Sequence, residues 1–481
     1  MSHASASLSG RARPHNGAVR FGSSAQSALN NRFAIALVIF LAMVPIPLGS
    51  NRPVFWALSG LVLAAVALLY MGLLLRKKSQ FRHSPAQLKS LMVPYFGLLG
   101  FIILQMIPFG SWVSPIKIAI GDAIVVSSTM SLTPGMSFLS LIQFASYSLL
   151  FFLMLQIAYN SERAHKMMVT LFMIIVAYAA FALFALTQFG DPILLFEKSA
   201  YQGSATATFI NRNSFATFLS FGLVAGLVFT AGSLLPESQQ THGQKGPLTA
   251  ALYLLGSSVI FAALLATQSR MGFAAGAIGA LVGTILVLSK APRAHRLIWP
   301  VLLFGILGTI VLFFLYGSGL LERVGSVESS SDVRMALYEQ VIKMIAARPW
   351  TGYGAGSFEL AFPLFHQLPV SPDVVWDKTH NTYLALWSDF GIVFGSIPIL
   401  LIAMISVSIW RIFRTARIRW TNAAIALGVI TTAAIHSLAD FSLEIEAVAY
   451  LFVAILAIGM AGPPKNNSVT TRSIPTKDDE E

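Results

Sequence analysis

Long apolar runs separated by short polar segments occupy most of the chain between residues 33 and 462. Many runs could form a helix of about 20 residues, which is enough to cross a bilayer core about 30 Å thick. They do not alternate apolar and polar residues, as the strands of a membrane β-barrel would. The pattern predicts an all-α polytopic membrane protein. About twelve spans are expected, at residues 33–49, 53–75, 91–108, 135–158, 168–189, 214–235, 248–268, 271–289, 297–317, 383–410, 421–441 and 445–462.

The longest predicted connection, residues 318–382, has a helical pattern of its own. Glu339 and Lys343 form an i,i+4 pair on its polar side, and Pro349 ends the pattern. We expect an amphipathic helix that lies at the membrane surface or caps the bundle. Its apolar side consists of Val333, Leu337, Val341, Met344 and Ile345.

Composition supports a membrane protein and excludes some kinds of site. Of the 481 residues, 56% are hydrophobic and 11% are charged, whereas about 25% are charged in a soluble domain. The net charge of +12 would also suit nucleic acid, but the basic residues form short clusters between apolar runs. We therefore expect contact with membrane lipids and no binding of nucleic acid. Cysteine is absent, which excludes disulfides and thiolate metal sites.

The basic clusters fall on one side of the membrane when successive spans alternate in direction. By the positive-inside rule this side is cytoplasmic and includes both termini. The clusters are Arg76, Lys77, Lys78 and Arg82, then Arg163 and Lys166, then Lys290, Arg293 and Arg296, then Arg411, Arg414, Arg417 and Arg419. The expected divisions are a disordered cytoplasmic tail at 1–32, spans one to nine at 33–317, a long outer loop at 318–382, spans ten to twelve at 383–462 and a cytoplasmic tail at 463–481.

The outer ends of the spans carry four polar clusters, of which the first is Gln268-Ser269-Arg270 between spans seven and eight. An arginine at membrane depth costs about 2.5–3.5 kcal/mol on insertion scales, so it usually has a partner or a ligand. The alternative is a side chain that extends to lipid phosphates.

The second cluster is Asn211-Arg212-Asn213, which opens span six. A helix N-terminus with an arginine is suited to binding an anion. The alternative is purely structural, with Asn213 or Ser214 as the helix N-cap.

The third cluster belongs to the long outer loop. Arg334 lies on the amphipathic helix, and Gly352 and Gly354 follow it in a glycine-rich segment. A dinucleotide fingerprint is rejected, because no strand or βαβ unit surrounds these glycines. They would permit a tight turn and close backbone approach to a ligand. His380 and Asn381 then close the loop, as a catalytic pair or as capping and packing residues.

The fourth cluster places His436 and Asp440 four residues apart near the outer end of span eleven. At this spacing they would share one helix face. An ionisable pair inside a span is a candidate functional site, and the alternative is a structural hydrogen bond that fixes the helix end.

Together these motifs resemble the O-antigen ligase family, which comprises O-antigen ligases, polysaccharide polymerases and protein O-oligosaccharyltransferases. Each motif is weak alone, but their order, spacing and common placement make the set specific. Asp389 departs from the family, which often has Glu there, and Met271 stands where Gly commonly follows the arginine. The segments that carry the resemblance are Leu104 to Pro108, Thr208 to Asn213, Thr267 to Gly272, Arg334, Pro349 to Phe358, His380 to Leu384 and His436 to Phe441.

The resemblance implies a glycosyltransferase of the C-type membrane fold, without metal or cofactor, in a bacterial inner membrane with the long loop in the periplasm. Its donor would be an undecaprenyl-pyrophosphate-linked glycan, and its acceptor another glycan, lipid A-core or a protein. Arg270 and Arg334 would stabilise the departing pyrophosphate, and His380 would act as general base. Direct attack on the anomeric carbon would invert it. The substrate-binding residues would be Arg212, Asn211, Asn213, Asn381, His436, Asp440, Gly352 and Gly354.

A transporter or flippase without catalysis is the main alternative, because twelve spans are common among transporters. Transporters often consist of repeated halves with ionisable groups near the membrane midplane. No repeated halves are evident here, and the polar motifs gather at the outer ends of the spans. This arrangement favours chemistry at the membrane interface.

Overall fold

The computed structural model describes residues 17–110, 117–120, 123–193, 197–198, 200–235, 246–290, 331–415 and 420–461. Its helices are α1 Gly17–Met43, α2 Pro53–Arg76, α3 Lys89–Met106, α4 Pro134–Ile157, α5 Ser161–Gln188, α6 Arg212–Ser233, α7 Gly246–Ala266, α8 Arg270–Ser289, α9 Ser331–Ala347, α10 Phe358–Ala361, α11 Thr382–Thr415, α12 Trp420–His436 and α13 Glu446–Met460. The predicted helical class is confirmed. A short antiparallel hairpin, β1 Lys117–Ile120 and β2 Ala123–Val126, is added to it between α3 and α4.

The membrane spans agree with the hydrophobic pattern over the described ranges. There, nine helices are long and apolar enough to cross a membrane, namely α1 to α8, with α1 counted from Gln26, and α11. Helices α12 and α13 were also predicted as spans, and they are apolar but shorter. The predicted span 297–317 lies outside the described residues, so the total of twelve stays a prediction.

Helix α1 begins at Gly17, ahead of the first span expected from residue 33, and the predicted division into tails, spans and outer loop stays a prediction. Polar side chains ahead of the apolar run find partners in the bundle. Gln26 Nε2 donates to the Gln80 carbonyl oxygen at 2.9 Å, and Asn30 Oδ1 accepts from Tyr70 Oη at 3.1 Å. These bonds remove the cost of burying amides, so the helix extends beyond its apolar stretch. Residues 1–16 and 462–481, including the predicted C-terminal tail, lie outside the described residues.

Helix α6 is the most buried of the long helices, and small residues let α8 approach it closely. A Cβ added at Gly272 would lie 2.6 Å from Ala216 Cβ, and one at Gly276 would lie 2.8 Å from Ser220 Cβ. On another side of α8, a Cβ at Gly279 would lie 2.5 Å from the Gly428 carbonyl oxygen of α12. In lipid, such small-residue contacts bring helix backbones together and gain dispersion energy. They hold the N-termini of α6 and α8 beside the C-terminus of α12.

The predicted amphipathic helix is present as α9, and it caps the bundle through a small core of its own. Leu337, Val341 and Met344 are fully buried. They pack with aromatic and aliphatic residues of the following loop, among them Phe362 and Trp376. The helix therefore has a fixed orientation, with its polar side free to carry functional groups.

The two ends of the bundle differ in chemistry. We call the end with the N-termini of α6 and α8 the site end, and the opposite end the basic end. At the basic end, Arg163 Nε donates to the Ile157 carbonyl oxygen at 2.7 Å, and Lys290 Nζ donates to the Phe413 carbonyl oxygen at 2.5 Å. Here basic side chains satisfy helix-terminal carbonyls, as the helix dipole favours. Which end faces the cytoplasm stays a prediction.

Candidate functional site

Asn213, in the first turn of α6, joins three parts of the site end. Its Nδ2 donates to Asp440 Oδ1 at 3.1 Å, and its Oδ1 accepts from Ser269 Oγ at 2.8 Å. Ser269 is the N-cap of α8 and also accepts from the Gly272 amide at 3.3 Å. One amide side chain therefore connects the starts of α6 and α8 to the segment that follows α12.

Arg212 and Arg270 are the first residues of α6 and α8. Both side chains are partly buried, and the Arg212 guanidinium lies 5.3 Å from the centroid of the Tyr201 ring. A helix N-terminus carries a partial positive charge of about half an elementary charge. Two guanidinium groups and two helix N-termini thus give this corner a positive potential, which suits an anionic ligand.

The cap of α6 differs from the predicted one. Asn211 has extended backbone, and its side chain accepts from the Asn213 amide at 2.7 Å. Asn213 and Ser214, the predicted caps, are already inside the first helical turn. Capping by Asn211 leaves the Asn213 side chain free to make its two long-range hydrogen bonds.

His436 and Asp440 do not share a helix face, because α12 ends at His436. The carbonyl oxygens that follow are taken by the start of α11. Thr382 N donates to Ser437 O at 3.0 Å, and Thr382 Oγ1 donates to Asp440 O at 3.1 Å. The pair still meets, with 4.0 Å between His436 Nδ1 and Asp440 Oδ2. His436 Nδ1 lies closer to Thr217 Oγ1, at 2.8 Å.

Helix α9 brings Arg334 to the same cluster. Arg334 Nη1 donates to the Ala439 carbonyl oxygen at 3.3 Å. One turn further on, Tyr338 Oη donates to the His380 carbonyl oxygen at 2.8 Å and lies 3.4 Å from that of Leu438. Arg334 Nε is buried and has no hydrogen-bond partner among the described residues. The guanidinium therefore keeps donor capacity that a ligand could use.

His380 lies where the loop after α9 meets α11, in a left-handed backbone conformation with φ 53°. Such a conformation is uncommon for a residue other than glycine and tends to occur at functional sites. Its ring contacts Phe441 edge-on, with 5.2 Å between centroids. Its Nδ1 is buried without a hydrogen-bond partner among the described residues. The backbone and the packing together fix the position of this imidazole.

The charge state of His380 follows from its surroundings. Burial lowers the pKa of His380 below its ordinary value, the Asp440 carboxylate raises it, and the Arg334 guanidinium lowers it again. The net pKa is below 6.5, so the imidazole is neutral near pH 7. A neutral imidazole has a ring nitrogen able to accept a proton.

Asn381 caps α11, which was one of the two alternatives for the His380-Asn381 pair. Its Oδ1 accepts from the amides of Tyr383 and Leu384 at 3.0 and 3.1 Å. Its Nδ2 donates to the Leu438 carbonyl oxygen at 2.9 Å. The amide thus has protein partners at both ends and holds the backbone next to His380.

Gly352 and Gly354 lie against a break in α11 at Gly391 and against the loop before α4. Gly354 N donates to the Asp389 carbonyl oxygen at 3.0 Å, and a Cβ added at Gly352 would collide with that same oxygen. A Cβ at Gly354 would overlap Ser131. The close approach that these glycines permit is therefore to protein backbone. The structure does not bring them to the contacts made by Asn213 and Asp440.

Several residues of the site were not among those predicted from the sequence motifs. Ser442 donates to Asp440, and Lys378 forms an ion pair with Glu444 at 2.9 Å. Thr217 and Tyr338 could have been found, because they lie four residues after Asn213 and Arg334 on the same helix faces. The ion pair could not, since its partners are far apart in sequence.

Residues 255–399 match the family model described as O-antigen ligase, which confirms the resemblance drawn from the motifs. The matched region contains Arg270, Arg334 and His380. No curated protein matches the chain.

Proposed function

We propose that this chain, with its O-antigen ligase region at residues 255–399, transfers or polymerises an undecaprenyl-pyrophosphate-linked glycan at the periplasmic face of the bacterial inner membrane. The observation that carries the proposal is the cluster at the site end. There the hydrogen bonds of Asn213 join the N-termini of α6 and α8 to Asp440, and Arg334 and His380 adjoin the same segment. Arginines suited to binding phosphate and a neutral imidazole are thus part of one cluster.

Arg270 and Arg334 are proposed to bind the pyrophosphate of the donor, and Arg212 supports them. Guanidinium groups bind phosphate oxygens through paired hydrogen bonds and stay charged at all relevant pH values. Negative charge grows on the pyrophosphate as it leaves, so fixed positive groups stabilise the transition state more than the ground state. This role requires no metal or cofactor.

His380 is proposed as the general base. The acceptor hydroxyl oxygen attacks the anomeric carbon and forms the new glycosidic bond, while the bond from that carbon to the phosphate oxygen breaks. The electron pair of the broken bond leaves with undecaprenyl pyrophosphate, and the hydroxyl proton passes to His380. Attack opposite the leaving group inverts the anomeric configuration. Asp440 lies near enough to stabilise the imidazolium that results, since it raises the pKa of His380.

The asparagines of the predicted site are proposed as positioning residues. Asn211 and Asn381 accept hydrogen bonds from helix-terminal amides, and Asn213 has partners at both ends of its amide. These contacts fix the arginines and His380 relative to one another, which is how a preorganised site gains rate.

The proposal is tested by deleting the gene in its native host and restoring either the wild-type chain or Arg270→Ala. The readout is the length distribution of surface and secreted glycans on gels. Acceptors that carry a single repeat after deletion would identify a polymerase. Loss of repeats from lipid A-core, with accumulation of long lipid-linked chains, would identify a ligase.

In either case, Arg270→Ala should reproduce the deletion while the protein still inserts into the membrane. A glycan profile that deletion leaves unchanged would contradict both forms of the proposal for the glycans examined, and transport would become the leading alternative.

A further inference from the structure

A Ser/Thr-rich segment leads into α6 and lies against the turn that ends in Arg270. Residues 203–208 read Gly-Ser-Ala-Thr-Ala-Thr. Ala205 N donates to the Ala266 carbonyl oxygen at 2.8 Å, and Gln268 Nε2 donates to that of Gly203 at 3.0 Å. We call residues 203–208 the hydroxyl segment. It contacts Ala266 and Gln268, shortly before Arg270, and precedes Arg212 in sequence.

A buried ion pair holds the hydroxyl segment in place. Lys198 is 6% exposed, bonds to Asp191 and donates to the Ser204 carbonyl oxygen at 2.7 Å. Asp191 Oδ2 in turn accepts from the Gly203 amide at 2.8 Å. The lysine is buried and the aspartate is partly exposed, and such a pair is stabilising only when its charged groups make further hydrogen bonds, as both do here. The pair also neutralises the Asp191 carboxylate, which would otherwise repel an anion.

Three hydroxyl groups in and after this segment lack partners. The residues are Ser204, Thr206 and Ser214, which are 0%, 1% and 1% exposed, and their hydroxyl oxygens have no hydrogen-bond partner among the described residues. A buried polar group without a partner destabilises the folded protein. Thr208 of the same segment shows the ordinary arrangement, since its Oγ1 donates to the Pro45 carbonyl oxygen at 2.6 Å.

The Ser214 hydroxyl also lacks the partner that buried hydroxyls usually have in a helix, a backbone carbonyl oxygen of the preceding turn. Buried hydroxyls further along α6 donate to the carbonyl oxygen four residues earlier, as Thr217 does to Asn213 at 3.1 Å and Ser220 does to Ala216 at 2.7 Å. Ser214 is the third residue of the helix, so no helical turn precedes it. Its hydroxyl is therefore available to a group outside the helix.

We propose that the hydroxyls of Ser204, Thr206 and Ser214 bind the pyrophosphate of the donor, in addition to the arginines. The inference rests on the proposed function and assigns further residues to its donor site. Three O–H donors, two guanidinium groups and two helix N-termini all complement a ligand that only accepts hydrogen bonds. The guanidinium groups and helix N-termini favour negative charge, so a phosphate fits this corner better than a neutral sugar.

The test compares two variants of the same segment in purified full-length protein. The double variant Ser204→Ala/Thr206→Val removes two hydroxyls without partners, and the control Thr208→Val removes one that bonds to Pro45. Two quantities are measured in detergent, namely the thermal midpoint without ligand and the Kd for undecaprenyl pyrophosphate. Arg270→Ala is the reference for loss of phosphate binding.

The double variant should keep or raise the ligand-free thermal midpoint, because no hydrogen bond of the protein is lost. It should bind undecaprenyl pyrophosphate at least about tenfold more weakly, since bonds from hydroxyls to a charged group disappear. Thr208→Val should show the reverse, with a lower thermal midpoint and wild-type affinity.

Wild-type affinity in the double variant, with weakened binding in Arg270→Ala, would overturn this inference and leave the proposed function standing. A thermal midpoint lowered as far as in Thr208→Val would also overturn it, since the hydroxyls would then serve the fold. Absence of binding by the wild-type protein would overturn the inference and the proposed donor together.

Discussion

Arginine side chains at the site end combine charge with a fixed hydrogen-bonding geometry, and the two properties can be separated. Arg334 donates through Nη1 to the Ala439 carbonyl oxygen and keeps a buried Nε whose hydrogen has no acceptor among the described residues. A lysine at this position would keep the charge but would lose the planar pair of donors. The chemistry proposed for this residue therefore depends on more than its charge.

We predict that Arg270→Lys and Arg334→Lys each lower glycan transfer by about 10²-fold, close to the loss in the alanine variants. Removing one preorganised donor from a transition-state site typically costs about 10²–10³-fold in rate. The measurement is the initial rate of transfer with a purified lipid-linked donor, compared at equal amounts of membrane-inserted protein. Near wild-type rates in the lysine variants would show that charge alone is required.

A second prediction concerns the pH dependence of His380. Its pKa is below 6.5, chiefly because of burial, so the rate should fall on acidification with a midpoint below 6.5 as the base becomes protonated. The Asp377 carboxylate raises the pKa of His380. Asp377→Asn should therefore move the acid limb to lower pH without altering the rate at pH 7.5.

The same pKa shift affects stability. The folded pKa of His380 is below the unfolded value, so its contribution to stability is present above about pH 6.5 and is lost as pH falls through the folded pKa. The thermal midpoint of the wild-type protein should fall over this range more than that of His380→Gln. If the thermal midpoint of His380→Gln falls as much on acidification as that of the wild type, another group causes the loss of stability.

At the scale of helices, close packing by glycine determines whether the site can assemble. A Cβ at Gly279 would collide with Thr432 Oγ1 and lie 2.5 Å from the Gly428 carbonyl oxygen, which belongs to rigid backbone. A Cβ at Gly100 of α3 would meet nothing within 4 Å. Comparing Gly279→Ala with Gly100→Ala therefore separates the effect of close packing on stability from the effect of helix propensity.

Gly279→Ala should lower the thermal midpoint and reduce transfer, because α8 and α12 must move apart and carry Arg270 away from His436. Gly100→Ala should leave the midpoint unchanged or raise it, since alanine favours a helix interior over glycine by about 1 kcal/mol. The thermal midpoints of both variants are measured by scanning calorimetry in detergent. Equal midpoints for the two variants would contradict the packing seen between α8 and α12.

Local sequence patterns predicted the helices better than they predicted helix ends. The five apolar positions of α9 follow from spacing alone, and all are at least partly buried in one cluster. The end of α12 could not be predicted in this way, because Thr382 and Asn381 of another helix take the carbonyl oxygens of residues 437, 438 and 440. Helix ends in this chain are decided by partners distant in sequence, which a periodic pattern does not contain.

For the molecule as a whole, the order of the motifs predicted that Arg270, Arg334 and His380 belong to one site. It did not predict the hydrogen bonds that connect the surrounding segments, which are seen only in the structure. Asn213 illustrates the difference. As part of a motif it was expected to bind substrate or to cap α6, whereas its amide bridges Ser269 and Asp440. The glycine-rich segment shows the converse, because a motif that suggested a ligand lies against the break in α11.

The orientation of the whole bundle in the membrane gives the last prediction, for which the absence of cysteine is an advantage. Val375 is 73% exposed in the loop at the site end, and Lys77 is exposed at the end of α2 nearest Arg163 and Arg82. Single cysteines at these two positions carry no background label. In right-side-out spheroplasts, Val375→Cys should react with a membrane-impermeant maleimide at once. Lys77→Cys should react only after permeabilisation, because the basic end is expected in the cytoplasm.

The reverse pattern would place the arginines and His380 in the cytoplasm, where the proposed periplasmic transfer could not occur. Labelling of both cysteines in sealed spheroplasts would contradict a membrane-spanning arrangement in which the two ends face opposite compartments. The expected pattern would place the positive potential of Arg212, Arg270 and two helix N-termini at the outer leaflet. A lipid-linked pyrophosphate presented from that leaflet would then meet groups that attract it before the acceptor hydroxyl reaches His380.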